Sequence, residues 1–107
     1  IILYTIYSKD SNGIFYEYDE VIQRLRPRCH VPVLGIWDFY LGLGIEGGML
    51  TNGYDQGKKA AELALRILKG EKAESIPVIM ESTNCYMFDY RELKRFGVDF
   101  SNLPPKA

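Results

Sequence analysis

Apolar and polar positions alternate along this chain at two different periods. Ile1 to Tyr7 is rich in β-branched and aromatic residues and almost uniformly apolar. A strand covered on both faces, as in a parallel sheet, has that composition. Ser8-Lys9-Asp10-Ser11-Asn12-Gly13 then reads as a loop. Tyr18 to Leu25 brings Val21, Ile22 and Leu25 onto one helical face, and Pro27 ends that helix. Val31 to Ile36 is a second short apolar run. Strand, helix and strand predict a βαβ unit with a right-handed crossover.

Beyond Ile36 the pattern breaks. Trp37, Asp38, Phe39 and Tyr40 stand side by side, and Gly42, Gly44, Gly47 and Gly48 follow. Glycines so placed indicate backbone bends or close approach to a ligand or neighbour. Gly48 to Thr51 reads as a short strand or a hinge crossing. From Tyr54 to Lys69 the period becomes helical, with Gly57, Ala60, Ala61, Ala64, Leu65, Ile67 and Leu68 recurring. Asn52 is placed to cap this helix and Gly70 to end it, and its small residues suit close packing on a sheet. Ile76 to Met80 predicts a strand near an edge, because Pro77 cannot donate to a ladder. Tyr86 to Phe88 predicts another strand. Asp89 and Glu92 resemble a capping box for a last helix, Tyr90 to Phe96, closed by Gly97. The tail from Val98 carries Pro104 and Pro105. The expected fold class is α/β, a Rossmann-like three-layer parallel sheet.

Composition changes this picture in few places. The 107 residues suffice for one modest domain. The hydrophobic fraction of 47% and charged fraction of 25% are ordinary for a globular protein. A net charge of −1 supplies no basic field for nucleic acid or anionic lipid. Cys29 and Cys85 read either as free thiols or as one pair, and have no metal-type spacing. The chain begins within a strand pattern and without methionine, which reads as a piece of something longer.

Candidate chemistry concentrates just past the strand ends, where ligands sit in α/β sheets. Trp37, Phe39 and Tyr40 are suited to wall an apolar site in which Asp38 orients a polar or cationic group. The competing reading makes Trp37 a core ring and Asp38 a turn cap. Asn52 and Tyr54, at a helix start, either cap it or reach the ligand. Ser8, Lys9 and Asp10 are either ligand contacts or a solvated turn. Gly42-Leu43-Gly44-Ile45-Glu46-Gly47 matches the dinucleotide fingerprint, which would make the chain a nucleotide-binding oxidoreductase fragment. That motif needs a strand immediately before it and a helix opening on it, and a flexible glycine loop is the favoured reading. His30 is the only histidine and lacks triad partners. The remaining acids, Glu92 among them, read as solvated surface. The expectation is a non-catalytic domain with no cofactor and no metal.

Three long stretches carry a family resemblance. They are Val31-Pro32-Val33-Leu34-Gly35-Ile36-Trp37-Asp38-Phe39-Tyr40-Leu41-Gly42, Gly47 to Gly57, and Ala60 to Gly70. Ile76-Pro77-Val78 and Tyr86 to Gly97 continue it. Together they resemble the C-terminal portion of ABC-transporter substrate-binding-type proteins over nearly the whole chain. The Trp-Asp-Phe and Tyr-Met-Phe-Asp-Tyr variants most resemble versions fused in bacteria to sensor histidine kinases or diguanylate cyclases. The resemblance implies a type I periplasmic-binding fold, with two Rossmann-like lobes joined by crossing strands and a ligand clamped between them. It implies an extracytoplasmic, membrane-anchored parent that takes a small organic ligand, amino-acid-like or another small metabolite. The function implied is a sensor input domain of a two-component system, or else the solute-binding component of a transporter. By position, Ser8 to Asp10, Trp37, Asp38 and Asn52 would contact ligand. Asn52 stands where transporter relatives carry Asp, and a neutral amide anchors an ammonium less well. Exposed sheet edges also allow a homodimer, and a pure interaction domain using the aromatic face is a third reading.

Overall fold

The structure, a computed structural model, describes residues 1–107. Three strands pair in parallel and a fourth closes the sheet antiparallel, in the order β1-β2-β3-β4. They are β1 (Ile2–Tyr4), β2 (Val33–Gly35), β3 (Gly47–Leu50) and β4 (Cys85–Phe88). The chain is therefore α/β, but its sheet is mixed where a parallel one was expected. The antiparallel partner is β4, whose Phe88 to Cys85 lie opposite Gly47 to Leu50.

The first half keeps the expected order of strand, helix and strand, with the second strand shortened from Val31–Ile36 to Val33–Gly35. Helix α1 (Tyr18–Leu25) has the predicted limits and buries Ile22 completely. Glu20 accepts from the Glu17 amide at 2.9 Å, tying off the first turn. Pro27 lies in a 3-10 turn, Arg26–Arg28, that ends the helix. Between β2 and β3, a 3-10 turn at Asp38–Tyr40 buries the Tyr40 ring. The core gathers Tyr4, Ile22, Cys29, Val33, Tyr40, Ile45 and Leu50. Cys29 and Cys85 are both free thiols. The Cys29 thiol donates to the Val31 carbonyl at 3.2 Å.

Two apolar runs behave differently from their composition. Ile1 to Tyr7 shortens to three strand residues, and Leu3, which points to the face opposite the buried Tyr4, is 63% exposed, so β1 is covered on one face only. Ile76 to Met80 forms no strand at all: it is unpaired, with Val78 and Met80 exposed.

Helix α2 (Gly53–Leu68) matches its predicted span, yet buries no residue. Its expected close packing on the sheet does not occur, and no atom lies within 4 Å of a Cβ built at Gly53 or Gly57. The helix is held locally instead. The Asn52 side chain accepts from the Asp55 amide at 3.1 Å. Gly70, at φ +101°, turns the chain at the other end. Its amide donates to the Ile67 carbonyl, and that of Glu71 donates to Arg66. Arg66 also grips Glu71 through two 2.6 Å bonds. A helix of this length without tertiary support is marginal, so Asn52→Ala is expected to cost about 1 kcal/mol and to lower far-UV helicity. Unchanged ellipticity at 222 nm would show that the cap is dispensable.

Only 13 of 107 residues are buried. The radius of gyration is 17.8 Å, against about 13 Å for a compact chain of this length. The excess comes from an arm, α2 with residues 69–84, that leaves the sheet through β3 and returns through β4.

The last helix, α3 (Tyr90–Arg95), starts at Asp89, whose carboxylate accepts from the Arg91 amide at 2.9 Å. The proposed capping partner Glu92 does not face that amide. It is buried and bound to two arginines. Tyr90 and Phe100 stack at 5.2 Å where the tail folds back.

Candidate functional site

Strands β1, β2 and β3 run the same way, so their carboxyl ends share one edge of the sheet. Past the end of β2, Trp37 bridges Thr51 in parallel. The Thr51 amide donates to the Ile36 carbonyl at 2.8 Å, and the Asp38 amide to the Thr51 carbonyl at 3.2 Å. These bonds bring Trp37 and Asp38 beside Thr51 and Asn52 on one rim.

The rim is aromatic. The Trp37 and Phe39 rings stack at 5.7 Å with an 18° interplanar angle. Tyr18 meets Phe39 edge-on at 5.3 Å, and Tyr4 meets Tyr40 edge-on at 5.0 Å. Trp37 is half-buried, one side packed on the core, while Phe39 is 42% exposed. Such ring pairs add about 0.5–1.5 kcal/mol beyond area burial. Burial pushes the Tyr4 phenol up to about 12, and the neighbouring Tyr40 adds to the effect.

Asp38 opens the 3-10 turn, but its carboxylate bonds no backbone amide and no cation. It is partly buried and free of an internal partner, unlike a turn cap. Asn52 spends its carbonyl oxygen on the Asp55 amide, which leaves its NH₂ group unspent.

The other candidates are placed differently. Ser8, Lys9 and Asp10 follow β1 but are drawn into a small hairpin. The Ser8 carbonyl accepts from Tyr16, Lys9 bridges Phe15, and the Lys9 ammonium sits 4.9 Å over that ring. Asp10 is saturated by its own turn. Its oxygens accept from the Ile14 and Asn12 amides and the Tyr16 hydroxyl, all at 2.9 Å. The Ile14 amide, more than the others, holds this carboxyl below the ordinary carboxylate range. Tyr54 is 76% exposed in the first turn of α2 and joins none of the ring contacts at the rim.

The sequence reading missed Tyr18 and Tyr4 as members of this cluster. Tyr18 stands three and four residues before Val21 and Ile22, so helical spacing already put it on their face.

No enclosed cavity borders Trp37, Asp38 or Asn52. The surface grooves all lie on the arm, and the largest, of about 380 Å³, runs between Leu63 and Arg66 of α2 and residues Pro77 to Glu81. The rim itself forms no groove.

The glycine motif lacks the geometry of a nucleotide cradle. Gly47 opens strand β3, not a helix, so no helix N-terminus faces the loop. Gly44 and Gly47 answer to packing. A Cβ at Gly44 would lie 2.8 Å from the Arg26 side chain. No family model, no curated protein and no solved structure matches this chain.

Proposed function

We propose that this chain is a non-catalytic small-molecule-binding domain, the C-terminal part of a type I periplasmic-binding fold. It serves as an extracytoplasmic sensor input to a bacterial two-component signalling protein. The reading rests on one observation above the others. A partly buried carboxylate, Asp38, stands without an internal partner beside the stacked Trp37 and Phe39 rings, at the carboxyl edge of parallel strands. Ligands of α/β sheets bind at that edge.

The arm supports the two-lobe part of the reading. Strands β3 and β4 carry the chain out of the sheet and back side by side. Helix α2 and the apolar segment Ile76–Met80 lie beyond them with their surfaces uncovered. A second lobe docked on the arm would cover these surfaces and would face the rim, making a crevice with it. Closure of one lobe on the other then works by the ligand's differential affinity for the closed state.

Trp37 is the only tryptophan, so its fluorescence reads this site alone. Titration with a panel of amino acids, small amines and carboxylates is expected to give a saturable change with at least one member. Asp38→Ala is expected to weaken that binding by about 10- to 100-fold, the worth of a charged hydrogen bond. A panel that leaves the emission flat, or an unchanged Kd in the variant, would remove the basis for assigning the rim to ligand.

A further inference from the structure

A second cluster of charged side chains lies on the opposite side of the fold's logic, at the root of the strand pair that carries the arm. Glu46 directly precedes β3 and is 2% exposed, with neither carboxylate oxygen hydrogen-bonded. Its main chain is fully engaged: the amide donates to the Val33 carbonyl at 2.8 Å, and its carbonyl accepts from the Asp89 amide at 2.7 Å. The latter bond joins Glu46 to the cap of α3. Glu92 of α3, 3% exposed, is the neighbouring carboxylate. Glu92 is fully subscribed, accepting from Arg26 Nε at 2.6 Å and from Arg95 Nη1 at 3.3 Å. Arg95 in turn donates to the Arg26 and Cys29 carbonyls at 3.1 and 3.0 Å.

We propose that Glu46, set beside the Glu92–Arg26–Arg95 cluster, is a proton-operated latch that holds α3 and the returning strand β4 against the sheet.

The charged groups facing Glu46 are Glu92 and Arg95 from α3, with Arg26 reaching it through Glu92. Strand β2 presents the Val33 backbone, and β4 presents Phe88 opposite Gly47. An isolated buried carboxylate is costly, and a group so placed stays neutral instead. Burial, with the Glu92 charge behind it, raises the Glu46 carboxyl above the ordinary glutamate range; the Val33 backbone and Arg95 draw it back in part. When Glu46 releases its proton to water, a second negative charge appears next to Glu92. That charge either takes Arg95 from its present partners or reaches water by opening the α3 contact. Both loosen the helix that follows β4 directly, and with it the return path of the arm.

The sign follows from the direction of the shift. A carboxyl raised in the folded state contributes stability that is fully present below its unfolded value, about 4.3, and lost as pH rises through the folded value. Thermal unfolding of the full chain, followed by circular dichroism between pH 4.5 and 8.5, tests this. The midpoint is expected to fall by about 5 °C or more across the range. E46Q is expected to hold a flat midpoint, and H30Q, which replaces the only histidine, is expected to fall like the wild type. Equal slopes in wild type and E46Q, or a slope that vanishes in H30Q, would overturn the latch. Should E46Q fail to fold, the wild type itself decides by carbon-13 carboxyl NMR and amide exchange. A Glu46 carboxyl titrating above the ordinary range, in step with faster exchange at Leu93 and Phe96, supports the latch. Titration of Glu46 in the ordinary carboxylate range, or exchange in α3 that ignores it, overturns it.

Discussion

Gly47→Ala is expected to break the β3–β4 pair and to unfold the chain at moderate urea. Gly47 has φ +135°, a conformation L side chains rarely adopt. A Cβ there would overlap the Met87 carbonyl oxygen and sit 2.6 Å from the Phe88 Cα. Backbone cannot step aside as a flexible side chain can. Strained φ alone costs about 1–3 kcal/mol, and each ladder bond displaced by the overlap adds about 1 kcal/mol. A loss on the order of 3 kcal/mol or more is a large share of the roughly 5–15 kcal/mol that holds a domain together. Gly57→Ala is the matched control. It has open space around its Cβ position within α2, and should stabilise by about 0.5–1 kcal/mol. A urea midpoint for Gly47→Ala equal to wild type would mean that the two strands do not meet in this register.

Tyr40 is the second position of large effect, and here two substitutions have opposite signs. The ring is wholly buried and touches Tyr4, Tyr18 and Phe39. Tyr40→Ala removes it from the centre of a small core and is expected to cost about 3–5 kcal/mol. The hydroxyl, however, is buried without a hydrogen-bond partner. Tyr40→Phe therefore gives up no more than a weak contact with the Tyr4 hydroxyl and relieves a desolvated polar group, so the midpoint is expected to stay level or rise, by up to about 1 kcal/mol. Urea denaturation of both variants checks the pair. A destabilised Tyr40→Phe would reveal a partner for the hydroxyl.

Both positions belong to the part of the fold that the chain's pattern left open. The glycine run was legible as a place of bends or close approach, but not as the seam where β4 comes back against β3. That seam depends on residues some forty positions apart. Tyr40 was legible as one of three neighbouring aromatics; its depth came from α1 and β1 closing over it. Asp38 stands between these cases. Its place after an apolar strand marked it as a rim residue, and coordinates were needed to see that its carboxylate caps nothing.

The same division runs through the whole molecule. Helix limits were readable because bonds between residues three to five apart make them: Asn52 with Asp55, Gly70 with Ile67, Glu17 with Glu20. The charge balance and the positions of the aromatic and glycine clusters were readable for the same reason, since they are properties of neighbours. Strand identity was not. Ile76–Met80 has a strand's composition and no partner, while β4, with no stronger pattern, is paired along its length. Pairing depends on what another segment offers across space. Glu92 shows it most sharply. Beside Asp89 in the sequence it reads as a helix cap, but Arg26, 66 positions away, takes it into the interior. A buried charge goes where its partner is, and only the tertiary fold brings that partner near.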